Sequence, residues 1–297
     1  MPRLTDRSLS FGPWPSAFSP EALRRAWLAV RANGGAAGAD GATIARFERD
    51  LDRELAELSG ELLSLRYRPQ RVTQVLVPKP RGDWRPITLW TVRDRVAQRA
   101  AHAYLEPAFE RRFRPCSYGF RPGRQTRHAA EAVRRAQAAG ARWVFDADIK
   151  DCFGQMRSER VLAQLAEWTV PKPLRTLVGR WLDAGVWNAP QRGVVAGTSQ
   201  GGVISPLLCN VYLHPFDCAL DGGGAFHRDL WLVRYADDFV ILARDERAVR
   251  RAATRATAEL RALDLELHPQ KTRLTTFDEG FQFVGWFFVR EEMFELK

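Results

Sequence analysis

VRYADDFVIL, residues 233–242, decides how this chain is read. Asp237 and Asp238 sit side by side between apolar runs that read as two short strands, with Tyr-Ala-Asp-Asp as the turn of a hairpin. Adjacent carboxylates repel, and one of them resists ionising unless a cation stands nearby. The turn therefore predicts a cationic partner. Trp231, Val233, Tyr235, Phe239 and Ile241 share a parity expected to bury one face of a sheet. A solvated, Asp-rich turn is the plain alternative, and the rest of the chain has to decide between them.

RWVFDADIK, residues 142–150, alternates like a strand. Phe145, Ala147 and Ile149 fall on one side, Asp146 and Asp148 on the other. With this strand beside the hairpin, Asp148 and the Asp237/Asp238 tip would converge at one sheet edge. Three carboxylates meeting there make a hard, all-oxygen site suited to Mg²⁺. Two such ions, roughly 4 Å apart, can activate an attacking hydroxyl and stabilise a leaving pyrophosphate.

The whole chain has 297 residues, 45% hydrophobic and 27% charged, which predicts a folded protein with a substantial core. Its net charge of +10 points to a polyanionic partner such as nucleic acid, although the abundance of Arg and Ala also fits a GC-rich genome. The four cysteines, at 116, 152, 209 and 218, form no C-x-x-C pair and argue against a zinc site. With no apolar run of 18 residues and no signal-peptide pattern, the expectation is a soluble cytoplasmic protein without a membrane partner.

Around these stretches the pattern is mixed. The first 18 residues read as an arm, and Ser19-Pro20 as the cap and first position of a helix carrying Leu23, Trp27 and Val30. Phe47, Leu51, Leu55 and Leu58 mark one face of a second helix. VTQVLVPKPRGDWRPI, residues 72–87, suggests a hairpin, and Thr91 with Asp94 a helix cap. A helical region is expected over 158–184, a Gly-rich segment over 193–206, a helix through Val249, Ala256 and Leu260, and paired strands over 272–289. Helices interleaved with antiparallel hairpins give the class α+β.

Taken in order, the motifs GADG (38–41), PK (78–79) then WRPI (84–87), SYGFRPGR (117–124), DIKDCF (148–153), QGGVISP (200–206), YADD (235–238), HPQKT (268–272) and FQFVGWFF (281–288) resemble a reverse transcriptase of the group II intron type. The resemblance runs from Gly38 to Gly285 and implies a right-hand polymerase. It implies fingers over 38–125 and 157–197, a palm over 126–156 and 198–290, and residues 1–37 as an N-terminal arm and helix. Asp148, Asp237 and Asp238 would be the catalytic, metal-binding acids, joined by the Ile149 carbonyl, with Asp146 a bystander. The cofactor would be two Mg²⁺, with Mn²⁺ able to substitute.

Phe153 would be the steric gate against a 2′-hydroxyl. Lys79 and Arg85 would cover the incoming triphosphate, a role that suits the guanidinium fork. Gln200 and Gly201 would lie against the nucleotide, and Lys271 near the leaving pyrophosphate. Phe283 and Gly285 would belong to the strand pair that grips the primer; an aromatic core is their plain reading. Arg121, Arg124 and Arg127 would track the template backbone, with Tyr118 or Phe120 stacking on a base; equally, the three arginines cap local helix ends.

Two departures stand out. Gly154 takes a place where the family often has Asp. Only a dozen residues follow Gly285, where the family carries a helical thumb of about a hundred. The thumb is therefore expected to be missing, with residues 291–297 a short end, whether by nature or because the chain is a fragment. The resemblance implies an RNA template, a DNA or RNA primer and dNTPs as partners. It extends to stand-alone relatives that work with Cas adaptation proteins, in CRISPR spacer acquisition or another defence system, or with another protein supplying thumb function. Two rival readings remain open on sequence: a non-catalytic RNA-binding or assembly subunit, and a primer-independent or terminal nucleotidyltransferase.

Overall fold

The computed structural model of the chain describes residues 9–38, 40–70, 72–78, 84–184, 201–221 and 229–296. In chain order the elements are α1 (Pro20–Ala32), α2 (Ile44–Arg49), α3 (Leu51–Leu63), β1 (Thr73–Pro78), β2 (Trp84–Leu89), α4 (Val92–Glu110) and α5 (Thr126–Ala138). There follow β3 (Trp143–Asp148), α6 (Cys152–Gln155), α7 (Ser158–Glu167), α8 (Lys172–Leu182), α9 (Ser205–Asp221), β4 (Leu230–Tyr235) and β5 (Asp238–Ala243). The last are α10 (Glu246–Ala262), β6 (Arg273–Thr276), β7 (Phe281–Phe283), β8 (Trp286–Val289) and β9 (Glu292–Glu295). The mixed α+β class with antiparallel sheets is the one the sequence predicts.

The chain divides into two compact units, residues 1–112 with 156–208, and 113–155 with 209–297. The N-terminal region belongs to the first unit. Trp14–Phe18 forms a 3-10 turn whose Ala17 and Phe18 are buried, so the end of the expected arm joins the core. In α1 the Ser19 hydroxyl accepts from the Ala22 amide at 3.2 Å, and Leu23, Trp27 and Val30 are buried as their spacing requires. The second expected helix is two, α2 and α3, parted at Asp50. Thr91 caps α4 by accepting from the Asp94 amide at 3.1 Å, and β1 pairs with β2 as the hairpin reading requires. The helical region after 158 breaks into α7 and α8 where Thr169 turns left-handed and Pro171 starts a new helix.

In the second unit, an antiparallel sheet of order β4-β5-β3-β6 carries the acidic residues. Val144, Val233, Val240 and Leu242 pack on one face with Ala130 and Val133 of α5 and with Phe281, Phe283 and Phe288. Phe145, Phe239 and Ile241 are buried on the other, where the Phe239 ring centroid lies 5.1 Å from that of Phe216 in α9. This corrects the expected parity. Tyr235 pairs with Asp238 around a two-residue turn, so partners have opposite parity: Val233 faces Val240, and Trp231 faces Leu242. Phe239 and Ile241 therefore lie opposite to Trp231 and Val233, and both faces are covered. The third sheet, β7-β8-β9, is built from the C-terminal aromatic stretch.

Candidate active site

β3 and β5 run antiparallel with Asp148 directly opposite Asp238. Asp237, in the turn, is tied to the same edge: its carbonyl accepts from the Ile149 amide at 3.1 Å. The Asp148 carbonyl accepts from the His268 amide at 2.8 Å, and that loop delivers Lys271. The Lys271 ammonium donates to Asp148 Oδ2 at 2.9 Å. Asp148, Asp237, Asp238 and Lys271 thus come from three stretches far apart in sequence and meet at one sheet edge. Asp146, on the same side of β3, is engaged by Arg273 at 3.2 Å.

The electrostatics follow from the crowding. Desolvation raises the Asp237 carboxyl above its usual range, and the Asp148 charge adds to the shift. Asp238 is pushed up to about 8, first by desolvation, then by its hydrogen bond with Asp148 and the charges of Asp237 and Asp148. Asp238 as a residue is exposed, so water tempers this effect. Lys271 moves up because it donates to Asp148.

Among the described residues, no three acidic, His or Cys side chains already close around one metal-sized point. The donor chemistry nevertheless fits a hard divalent cation: three carboxylates, two of them reluctant to ionise together, with a single ammonium against one of them. Ile149 runs backbone to backbone beside Asp237, where its carbonyl was expected to join the acids.

Phe153 lies in the short helix α6, half-buried, with its ring centroid 6.5 Å from that of Phe120. Gly154 follows it, and a Cβ there would meet the free end of the exposed Asp151 side chain, which can move aside. Phe283 is buried core, and Gly285, at φ +84°, makes the β7–β8 turn. In the first unit Gly201 has φ +118°, and a Cβ would stand 2.5 Å from the Thr88 carbonyl oxygen, so only glycine fits. Arg85 pairs with Val77 in the β1–β2 ladder. Lys79, Gln200 and the Arg85 side chain lie outside the described residues.

The three arginines expected along the template separate. Arg121 is buried and donates to the Arg114 and Ser117 carbonyls at 2.8 and 2.9 Å, above the Phe113 ring. Arg124 donates to the Pro115 and Ser117 carbonyls at 2.7 and 2.9 Å and lies over Tyr118. Both donate to carbonyls of their own loop between α4 and α5, and neither caps a helix end. Arg127 is exposed and pairs with Glu131 at 3.2 Å.

Sequence reasoning passed over one group. Arg234, just before the turn, is fully buried and forms a bidentate pair with Asp217 of α9, both bonds 2.6 Å. The available signal was a basic residue in the otherwise apolar LWLVRY and an aspartate in the apolar helix SPLLCNVYLHPFDCAL. The four cysteines are free, and no described helix is long and apolar enough to cross a membrane.

A family model described as "Reverse transcriptase (RNA-dependent DNA polymerase)" matches residues 77–288. Protein YkfC of Escherichia coli K12 is 30% identical over 294 residues, covering 86% of this chain and 76% of that protein. The group II intron-encoded protein LtrA of Lactococcus lactis is 33% identical over 153 residues, covering 51% of this chain and 25% of LtrA. Among solved structures, telomerase from Candida albicans bound to a fragment of telomeric RNA superposes with a TM-score of 0.59 at 12% identity. That match covers 79% of this chain and 48% of the telomerase chain, and it speaks for the fold alone.

Proposed function

Since the chain belongs to the reverse transcriptase (RNA-dependent DNA polymerase) family, with a match over most of its length, we propose that it extends a primer along an RNA template with dNTPs, using the acidic sheet edge of the second unit as its catalytic centre. The observation that carries this reading is the strand register that sets Asp148 opposite Asp238, with Asp237 next in the turn and Lys271 on Asp148. Asp148, Asp237 and Asp238 would hold two Mg²⁺. When bound, these ions supply activation of the primer 3′-hydroxyl and charge neutralisation on the leaving pyrophosphate.

The remaining work belongs to the chain's own residues. The three carboxylates orient the reacting phosphate by fixing where positive charge gathers, so that catalysis is mostly positioning and electrostatics. Lys271, whose ammonium donates to Asp148, would give its Nζ proton to the departing pyrophosphate oxygen. The Phe153 ring excludes the 2′-hydroxyl of a ribonucleotide. Lys79, Arg85, Gln200 and Gly201 keep the nucleotide-binding roles that the family resemblance gives them.

Asp237→Asn tests the reading. It keeps the shape of the turn and removes one charge. Extension of a primer annealed to RNA should fall by about a hundred- to a thousandfold, while the circular dichroism spectrum stays native and the protein melts no lower than wild type. Extension at the wild-type rate by the pure variant would end the assignment. A wild-type reaction that proceeds equally without primer would move the activity to terminal addition.

A further inference from the structure

The turn that presents the two aspartates is unfavourable by itself. Ala236 sits at φ +60°, left-handed, and is buried. Alanine has neither the freedom of glycine nor the side-chain hydrogen bonds that let Asn or Asp adopt this region. The two residues after it carry adjacent carboxylates. Something outside the turn must hold it.

The Arg234 guanidinium meets that need. Its Nε and Nη2 donate to Asp217 Oδ1 and Oδ2, each at 2.6 Å. Nη2 also donates to Ser117 Oγ at 2.7 Å. Nη1 donates to Asn210 Oδ1 at 3.1 Å and to the Ala236 carbonyl at 2.9 Å. These bonds use the whole five-donor capacity of the fork, an arrangement Lys cannot reproduce. The backbone completes the clamp. Arg234 N donates to the Cys116 carbonyl and Tyr118 N to the Arg234 carbonyl, both at 2.8 Å. Asn210 Nδ2 donates to the Gly119 carbonyl at 2.9 Å, and a Cβ on Gly119 would strike the Ala236 amide. A buried ion pair adds little stability compared with a well-packed apolar pair, so its value lies in the geometry it dictates.

We propose that Arg234, neutralised by Asp217, is a positioning residue: by holding the Ala236 carbonyl it fixes the left-handed turn from which Asp237 and Asp238 project. It acts on the acids through the backbone, touching neither substrate nor metal. The proposal rests on the reading of Asp237 and Asp238 as cation-binding acids.

The test replaces the pair with apolar residues of similar size, Arg234→Met with Asp217→Leu. The double variant should melt within a few degrees of wild type. Its kcat for primed RNA should fall about 10–100-fold with little change in KM for dNTP, and its Mn²⁺ affinity, read by electron paramagnetic resonance of the free ion, should weaken by a similar factor. Adding Ala236→Gly, which adopts the left-handed turn without help, should restore kcat and Mn²⁺ affinity several-fold. A double variant with wild-type kcat and Mn²⁺ affinity would overturn the proposal, as would a loss that Ala236→Gly leaves untouched. Should the double variant not fold, Arg234→Lys makes the same comparison. It keeps a charge opposite Asp217 but gives up the fork, and the same losses, relieved by Ala236→Gly, are expected. Asp237→Asn runs alongside as a control. If it binds Mn²⁺ like wild type, the reading of the acids fails; if it does not, and the Arg234 variants behave like wild type, only the clamp fails.

Discussion

Asp238→Asn should make the metal-free protein more stable at pH 8 while abolishing its chemistry. The folded protein pushes the Asp238 carboxyl up to about 8, from an ordinary value of 3.8. A group whose pKa is higher in the folded state stabilises the fold fully below its unfolded pKa, and that contribution is lost as pH rises to the folded one. Here the window runs from about pH 4 to about pH 8. The difference, 8 − 3.8, is about 4 units, and at 1.36 kcal/mol per unit it sets a ceiling of roughly 6 kcal/mol. Asp238 is exposed at the sheet edge and Lys271 stands across Asp148, so screening brings this down to about 1–2 kcal/mol.

Asparagine is nearly isosteric with the protonated acid and cannot ionise. In EDTA at pH 8 the variant should therefore melt roughly 2–8 °C above wild type, at about 2–4 °C per kcal/mol. At pH 4 the two should coincide. Saturating Mg²⁺ should raise the melting temperature of wild type more than that of the variant, because only wild type offers all three carboxylates. Melting curves at several pH values, with EDTA or Mg²⁺, make the measurement. A variant that melts at or below wild type in EDTA at pH 8 would refute the argument that burial and the neighbouring carboxylates together disfavour an ionised Asp238 in the absence of a cation.

Three further outcomes follow from the geometry. Phe153→Ala should lose at least about tenfold of its discrimination against ribonucleotides, measured as the ratio of kcat/KM for dNTP and rNTP; an unchanged ratio removes Phe153 from the gate. Gly201→Ala meets both a φ of +118° and the Thr88 carbonyl, so it should cost roughly 1–3 kcal/mol of stability and lower kcat/KM for dNTP, and a variant with wild-type values would show that the turn is not constrained. Arg121→Ala should cost about 1–3 kcal/mol in denaturant unfolding because it removes two hydrogen bonds from a buried charged donor and its packing over Phe113, whereas Arg127→Ala should leave stability unchanged and reduce the salt slope of RNA binding by about 1. The opposite pattern would return Arg121 to the template and Arg127 to the fold.

Much of this could be read from local pattern, because local pattern is what short-range physics writes into a sequence. Ser19 and Thr91 announce helix starts, and the alternation in RWVFDADIK and VRYADDFVIL announces strands. Pairing is not local. The two-residue turn at Ala236-Asp237 fixes which residues share a face, and assuming one buried face misassigned Phe239 and Ile241. The break between α7 and α8 depends on one left-handed threonine and a proline at the next cap, weak marks inside a long helical pattern. Arg121 carries the motif's charge on the surface in a sequence reading, yet the fold spends that charge on carbonyls of its own loop.

The acids were visible and their clamp was not, and the difference has a physical cause. Adjacent aspartates violate a local expectation and so can be seen in a window of ten residues. Arg234 and Asp217 each look like an isolated defect, a charge in a strand and a charge in a helix, until the fold pairs them. Three of four neighbouring positions then break local rules together: a buried arginine in a strand, a left-handed alanine and a carboxylate facing others. A fold tolerates such conflicts only where other contacts overdetermine the backbone. Here the Arg234 bond to Ala236, the Ile149 bond to Asp237 and the His268 bond to Asp148 all act on main-chain atoms. The backbone can thus stay fixed while the charge on the carboxylates changes, which suits the divalent-cation site proposed for this edge.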